Sequence, residues 1–227
     1  MAKTYVISVG GSLFALADGL DVSWLKKFRA FILRAVKTGN KFFLVIGGGV
    51  IARRYQATAK KVQPLTSVES DWLGITATSL NAQLFKTIFG SQAHPEIITN
   101  PTKNIKTRRK IVLASGYKPG WSTDYDAVCL AKSRGAKTVI NLSNIDYVYD
   151  KDPKKYAGAK KLTTLSWPEF YRLVGGRWRP GLNLPFDPIA SHLAAKEKIR
   201  VVVMNGCNLS NLSAYFSGRK FKGTVIG

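Results

Sequence analysis

The stretch KFFLVIGGGVIARR, residues 41–54, joins a short apolar run to three consecutive glycines and then to a segment with helical spacing. Lys41–Ile46 is typical of a buried strand, and Val50–Lys61 is predicted to form a helix. A strand, a glycine turn and a helix N-terminus together present backbone N–H groups to an anion at the positive end of the helix dipole. The stretch therefore predicts an α/β protein with a phosphate site at this turn.

Two further turns follow predicted strands in the same way. Gly10-Gly11-Ser12 follows Tyr5–Val9, and the segment from Pro119 to Asp124 follows Lys110–Ala114 and leads into a predicted helix over Thr123–Arg134. Three such turns in an alternating chain predict a site for more than one phosphorylated group. Gly47–Ala52 also fits a dinucleotide fingerprint, but it stands at the second strand–helix turn and lacks the acidic residue expected after the next strand, which disfavours nicotinamide binding.

Strands and helices alternate along the rest of the chain. In the predicted helix Asp71–Phe89, five apolar residues are expected to face inward, namely Trp72, Ile75, Leu80, Leu84 and Ile88. The other predicted helices are Val22–Thr38, a short helix after Ser166 with a capping box, one after the N-cap Asp187, and Leu209–Phe216. The other predicted strands are Glu96–Thr99, Lys137–Leu142, Arg200–Met204 and Gly223–Ile226, and Asp146–Lys161 is expected to be a long loop. The pattern predicts a three-layer α/β/α sandwich around a central, mostly parallel sheet.

The composition is strongly basic. The 227 residues carry a formal net charge of +22, which implies either an anionic partner, such as nucleotides, RNA or an acidic membrane surface, or an unusual cellular setting. Two cysteines and two histidines argue against a disulfide framework and against a multi-histidine metal site. No apolar run is long enough to span a bilayer, and Gly10-Gly11-Ser12 interrupts the stretch that loosely imitates a signal peptide, so a cytoplasmic protein is expected.

The motifs together resemble the amino acid kinase superfamily. This resemblance rests on Val9–Ser12, on Gly47–Gly49 with Ala52 and Arg53, and on Asp71 with Leu73-Gly74. The uridylate kinase branch, in its archaeal type, is similar to this chain at Pro119–Asp124, at Asn144–Tyr149 with Asp152-Pro153-Lys154, and at Phe186–Ala190. The resemblance implies one kinase domain over residues 1–227, with an acceptor half over 1–135 and an ATP half over 136–227. It also implies a sheet of about eight strands, a homohexamer, and ATP with Mg²⁺ carried by the nucleotide and by no protein ligand.

The same resemblance implies roles for individual residues. Gly10, Gly11 and Asp187 would serve catalysis, with the two glycines facing the transferring phosphoryl group. ATP would be bound by Gly10, Gly11, Gly49, Arg53, Ser143, Tyr149 and Asp152. UMP would be bound by Gly48, Asp71, Lys118, Pro119, Gly120, Trp121, Ser122, Thr123 and Asp124.

The chain departs from the family pattern at several positions. Ser8 stands where many members carry a lysine, and the cations that could compensate are Lys118, Lys154, Arg177 and Arg179. Tyr147 replaces a usual glycine, and the segment Gly176–Pro185 is richer in arginine and tryptophan than the family tends to be.

Two alternatives follow from these departures and from the charge. One is a kinase of the same fold with a carboxylate or isoprenoid phosphate as acceptor, although Val50–Tyr55 contains no histidine of the kind found in the isoprenoid branch. The other is a nucleic-acid-binding or regulatory protein on the same scaffold, suggested by the net charge and by the basic run Lys103–Lys110.

Overall fold

The computed structural model describes residues 3–153, 155–174 and 185–227. The strands are β1 (Thr4–Val9), β2 (Ala15–Leu16), β3 (Gly19–Leu20), β4 (Lys41–Ile46), β5 (Ile111–Ala114), β6 (Thr138–Ser143), β7 (Val148–Tyr149), β8 (Lys161–Leu162), β9 (Thr164–Leu165), β10 (Arg200–Asn205) and β11 (Thr224–Ile226). The α-helices are α1 (Val22–Lys37), α2 (Gly49–Val62), α3 (Ser67–Phe89), α4 (Thr123–Ser133), α5 (Trp167–Val174), α6 (Pro188–Lys196) and α7 (Leu209–Phe216).

The central sheet has the strand order β5-β4-β1-β6-β10-β11-β9. Its neighbouring strands are parallel except for the antiparallel pair β10–β11. Because parallel strands end at the same edge of a sheet, the turns after β1, β4, β5 and β6 meet at its carboxyl edge. The predicted mostly parallel sheet is confirmed, and its strand order places the three glycine-bearing turns side by side.

Two apolar layers cover the two faces of this sheet. Successive residues of β1 alternate between them, with Ile7 on one face and Val6 on the other. The first layer is built with α1, α3 and α7, through residues such as Phe28, Phe85 and Leu212. The second is built with α4, α5 and α6, through residues such as Val128, Phe170 and Ala190. The predicted three-layer sandwich is therefore confirmed.

Helix caps account for three helix starts. The side chains of Thr66 and Glu69 form a capping box, so α3 begins at Ser67, four residues before the predicted start. Ser166 and Glu169 exchange the same bonds before α5, as the sequence predicts. The side chain of Asp187 accepts hydrogen bonds from the N–H groups of Ile189 and Ala190, which confirms it as the N-cap of α6.

Three predictions about strands need correction. Glu96–Thr99 forms no strand, because this segment meets β5 only through the isolated bridge at Ile98. The central sheet of the described residues has seven strands, where about eight were expected. The predicted loop Asp146–Lys161 contains β7 and the first residue of β8, which pair as a small antiparallel ribbon.

The buried face of α3 agrees only partly with the predicted one, since Leu84 and Ile88 pack against the core but Trp72 and Leu80 do not. Trp72 is 50% exposed and Leu80 is 62% exposed. The helix instead buries a face of mostly small or polar residues and two phenylalanines, namely Ala77, Thr78, Asn81, Ala82, Phe85 and Phe89. Apolar residues occur all around this helix, so its periodicity does not select one face. Within the described residues, no helix is long and apolar enough to cross a membrane.

Candidate active site

The candidate site lies at the carboxyl edge, where the turn after β1 meets the turn after β4. The N–H of Gly10 donates to the carbonyl of Leu142 at 2.9 Å, and the N–H of Gly47 donates to the carbonyl of Val9 at 2.9 Å. These bonds hold both glycine turns beside the end of β6.

Gly11 and Gly49 bring the backbones of the two turns into direct contact. A Cβ atom on Gly11 would lie 2.4 Å from the backbone nitrogen of Gly49, and one on Gly49 would lie 2.6 Å from the carbonyl carbon of Gly11. Gly49 also has a φ of +61°, a conformation that disfavours other residues. Glycine is required at both positions because a side chain on either would separate the turns.

The N-terminus of α2 points its first N–H groups toward this junction without a side-chain cap. Gly48 is the N-cap and has no side chain, whereas Ser122 caps α4 by accepting from the N–H of Tyr125 at 3.1 Å. Asn81 on α3 donates to the carbonyls of Gly47 and Gly48 at 2.8 and 3.2 Å and so holds the turn in place. N–H groups without a cap are the donors that bind phosphate at helix N-termini.

Asp124, in the first turn of α4, connects the sheet with α6. Its Oδ1 accepts from the hydroxyl of Ser8 at 2.8 Å and from the amide of Asn141 at 3.2 Å. Ser8 and Asn141 are register partners on β1 and β6. The other oxygen of Asp124 accepts from the N–H of Asp187 at 3.3 Å. Two predicted site residues, Asp124 and Asp187, are therefore neighbours in the structure.

The protonation of two carboxyl groups is shifted here. Burial raises the pKa of Asp124 to about 6, a rise that the Ser8 hydrogen bond opposes and the charge of Asp187 increases. Burial also raises the pKa of Asp126 to about 8, against the hydrogen bond from the N–H of Tyr117. Asp126 is fully buried, and its Oδ1 has no hydrogen-bond partner among the described residues. Asp126 is therefore largely protonated at neutral pH.

The loop before α4 is attached to α3 by one carboxylate. The Oδ2 of Asp71 accepts from the N–H of Gly120 at 2.8 Å, and Gly120 has a φ of +81°. The ammonium group of Lys118 lies 4.6 Å from the ring centroid of Trp121. That ring contacts Tyr125 edge-on at 4.4 Å. Asp71 and the segment from Lys118 to Asp124, distant in sequence, thus form one wall of the site.

The predicted ATP residues divide into two groups. Ser143, Tyr149 and Asp152 line a common cavity of about 500 Å³, and so does the divergent Tyr147. Gly49 lies instead at the glycine junction, and Arg53 is exposed on α2 and does not line that cavity. Lys154, Arg177 and Arg179, named above as compensating cations, lie outside the described residues, as does the segment 176–184. Lys118 is the one candidate of the four that the structure describes.

Three residues of the site were missed at the sequence level: Asn81, Asn141 and Asp126. Asn141 could have been found because it interrupts the apolar run of β6, and a buried amide requires partners. Asp126 directly precedes the buried residues Ala127 and Val128. A carboxyl group beside such residues is itself expected to be buried, which is costly for its charged form. Asn81 carries no comparable signal, since asparagine is common on exposed helix faces.

Comparison with known proteins identifies the family. Residues 3–205 match the model of the amino acid kinase family. The chain belongs to this family. Among curated amino acid kinase relatives, the uridylate kinase of Methanospirillum hungatei is 33% identical over 226 residues, covering 98% of this chain and 94% of that protein. The uridylate kinase of Pyrobaculum calidifontis is 34% identical over 203 residues, covering 88% of this chain and 89% of that protein.

Solved structures of the amino acid kinase fold agree with this assignment. The crystal structure of uridylate kinase from Archaeoglobus fulgidus matches with a TM-score of 0.82 at 29% identity and covers the whole of both chains. UMP kinase from Bacillus anthracis matches with a TM-score of 0.79 at 22% identity, over 99% of this chain and 95% of that one, and shows the shared fold. The resemblance to archaeal uridylate kinases that the motifs indicate is confirmed.

Proposed function

We propose that this amino acid kinase transfers the γ-phosphoryl group of ATP to UMP, giving UDP and ADP. The observation that carries the proposal is the contact between the two glycine turns at the uncapped N-terminus of α2. Archaeal uridylate kinases with about one third of their residues identical support the choice of UMP as acceptor. They also favour this function over a different acceptor or a purely regulatory role.

The reaction requires placement and charge neutralisation more than covalent chemistry. An oxygen of the UMP phosphate attacks the γ-phosphorus of ATP, the bond to the β–γ bridging oxygen breaks, and ADP leaves with that electron pair. Gly10 and Gly11 would face the transferring group with backbone N–H groups, and Gly49 and Arg53 would hold the phosphates of ATP. Ser143, Tyr149 and Asp152 would hold the rest of this nucleotide, in the half formed by residues 136–227.

UMP would occupy the half formed by residues 1–135. Gly48 would approach the phosphate of UMP. The rest of the UMP site would be formed by Asp71 and the segment from Lys118 to Asp124. Many family members carry a lysine at the position of Ser8, and Lys118 could supply the positive charge that is missing there. Asp187 would position the reacting groups through the N-terminus of α6, because its own N–H is bonded to Asp124.

Mg²⁺ is assigned to the phosphates of ATP, where it would neutralise the charge that develops during transfer. Asp124 already accepts three hydrogen bonds, and no three His, Cys, Asp or Glu residues of the described chain are grouped to hold a metal ion. These contacts fit a metal carried by the nucleotide. The proposal also includes a cytoplasmic homohexamer, which light scattering coupled to size exclusion would test.

The test is ADP release from ATP and Mg²⁺ with UMP, CMP, dUMP, carbamate and isopentenyl phosphate offered separately. Turnover should be strong with UMP alone. Gly48→Leu and Asp124→Ala should abolish it, because a Cβ on Gly48 would lie 2.7 Å from that of Ala52 and Asp124 joins three elements. Thermal melting would show that both variants fold. UMP turnover retained in both would contradict the assigned roles, and turnover of another acceptor in place of UMP would contradict the function.

A further inference from the structure

A row of five cations follows the amino edge of the central sheet, opposite the candidate active site. Five neighbouring parallel strands, in the order β5-β4-β1-β6-β10, either begin with a basic residue or directly follow one. In the same order these residues are Lys110, Lys41, Lys3, Lys137 and Arg200. Adjacent strands lie about 4.8 Å apart, so the row extends over roughly 19 Å.

The strand register places Lys110, Lys41 and Lys137 at one level, with Lys3 one residue before that level and Arg200 one residue after it. The N–H of Lys41 donates to the carbonyl of Lys3 at 2.9 Å, and the N–H of Arg200 donates to the carbonyl of Lys137 at 3.0 Å. The carbonyl of Lys110 accepts a hydrogen bond from the N–H of Phe42, the residue after Lys41, at 2.7 Å. The spacing of the cations is therefore set by the sheet itself and not by flexible loops.

The row borders a cavity of about 530 Å³. Lys3, Lys137 and Arg200 line it together with Arg134 from the end of α4, and none of the described residues that line it is acidic. The five side chains of the row are exposed, except that of Lys41, which is half-buried. The cavity is thus a cationic concavity that opens to solvent.

The charges of this edge are not neutralised within the described part of the chain. The only ion pair there joins Lys132 and Glu197. Burial and the nearby charge of Arg134 lower the pKa of Lys41. Both cations also lie 5.5 Å from the ring centroid of Phe43. Such crowding of like charges is unfavourable, and a bound anion would relieve it.

A basic loop extends the row beyond β5. The guanidinium group of Arg134 donates to the carbonyls of Lys103 and Ile105 at 2.8 and 3.2 Å, and the ammonium group of Lys41 donates to the carbonyl of Thr107 at 3.1 Å. These bonds hold the backbone of the run Lys103–Lys110 against the edge. The side chains of its basic residues, Lys103, Lys106, Arg108, Arg109 and Lys110, are all exposed.

We propose that this cation row binds the phosphate backbone of single-stranded RNA. A set of charges spread over roughly 19 Å fits an extended polyanion better than a compact nucleotide, and the expected contacts are one phosphate for each of the five cations. The described residues that line the cavity include no exposed large apolar side chain of the kind that would enter a membrane. The inference does not depend on the proposed kinase function, because the row lies at the other edge of the sheet.

The test uses the full chain and a fluorescein-labelled 20-nucleotide single-stranded RNA of mixed sequence, followed by fluorescence anisotropy between 50 and 200 mM salt. Five phosphate contacts predict a loss of affinity of about 100-fold over this range. The variant Lys110→Gln/Lys137→Gln/Arg200→Gln should reduce that loss to about sevenfold and weaken binding at low salt. The matched control, Lys26→Gln/Lys60→Gln/Lys61→Gln, removes the same charge from exposed positions of α1 and α2 and should bind as the parent does.

Three results would overturn the proposal. Equal weakening in both variants would mean attraction by net charge alone, and unchanged binding in the row variant would mean that RNA binds elsewhere. Saturating ATP and UMP should not displace the RNA, and displacement would place it in the active site. Both variants should match the parent in melting temperature and in UMP turnover. These two measurements separate a loss of RNA binding from a loss of folding or of the kinase reaction.

Discussion

Gly11→Ala should damage the site through one added methyl group. Its Cβ would lie 2.4 Å from the backbone nitrogen and 2.6 Å from the Cα of Gly49, while ordinary contacts of this kind begin near 3.4 Å. Both neighbours are main-chain atoms, so no side chain can rotate away and the turns must separate by about 1 Å. A displacement of this size at a reacting centre costs about 100-fold in rate. Overpacking lowers the free energy of unfolding by about 1–3 kcal/mol.

The assay is kcat/KM for UMP with coupled detection of ADP, at a temperature well below the melting midpoint, together with urea unfolding. Gly158→Ala is the matched control, because a Cβ there would meet nothing within 4 Å. Its effect on stability should stay within about 0.5 kcal/mol. If Gly11→Ala kept the parent's kcat/KM and stability, the close approach of the two turns would not be what positions the phosphates.

Three further predictions concern single side chains. Asp71→Asn should raise KM for UMP about tenfold with little change in kcat, because the charged acceptor for the N–H of Gly120 is lost; an equal rise in KM for ATP would contradict this. Because the pKa of Asp126 is raised to about 8, the folded state retains a proton that the unfolded chain releases. The free energy of unfolding should therefore fall between pH 6 and 8, by at most about 1.4 kcal/mol per unit, and Asp126→Asn should flatten the curve from urea titrations. Trp24→Phe should cost about 1–3 kcal/mol in thermal unfolding, since the indole N–H donates to the buried carbonyl of Gly206 at 2.9 Å; an unchanged midpoint would mean that this carbonyl finds another donor.

Local sequence rules were reliable where structure depends on near neighbours. The bounds of β4 and α7 agree with the predicted ones, and the caps at Ser166 and Asp187 lie where the sequence places them. A capping box or an N1 proline involves residues within one turn, so its geometry is contained in a few consecutive side chains.

The same rules failed where packing selects between local options. The predicted inward face of α3 was wrong at Trp72 and Leu80 because this helix is apolar on several sides, and Asn81 faces the turn at Gly47. Glu96–Thr99 has strand-like residues but finds only an isolated bridge. In each case the structure of the segment depends on which other element packs against it, and a single sequence does not contain this information.

The sequence by itself determined the order of the helices and of most strands of the central sheet, the glycine turns, the family and the excess of positive charge. Only the tertiary structure decided that Ser8 would donate to Asp124, 116 residues away, and that Asn141 and Asp187 would contact the same carboxyl group. It also decided that cations scattered from Lys3 to Arg200 would form one row. The physical reason is that strand order and register bring distant residues to the same edge of a sheet, whereas periodicity and capping act only between neighbours in the chain.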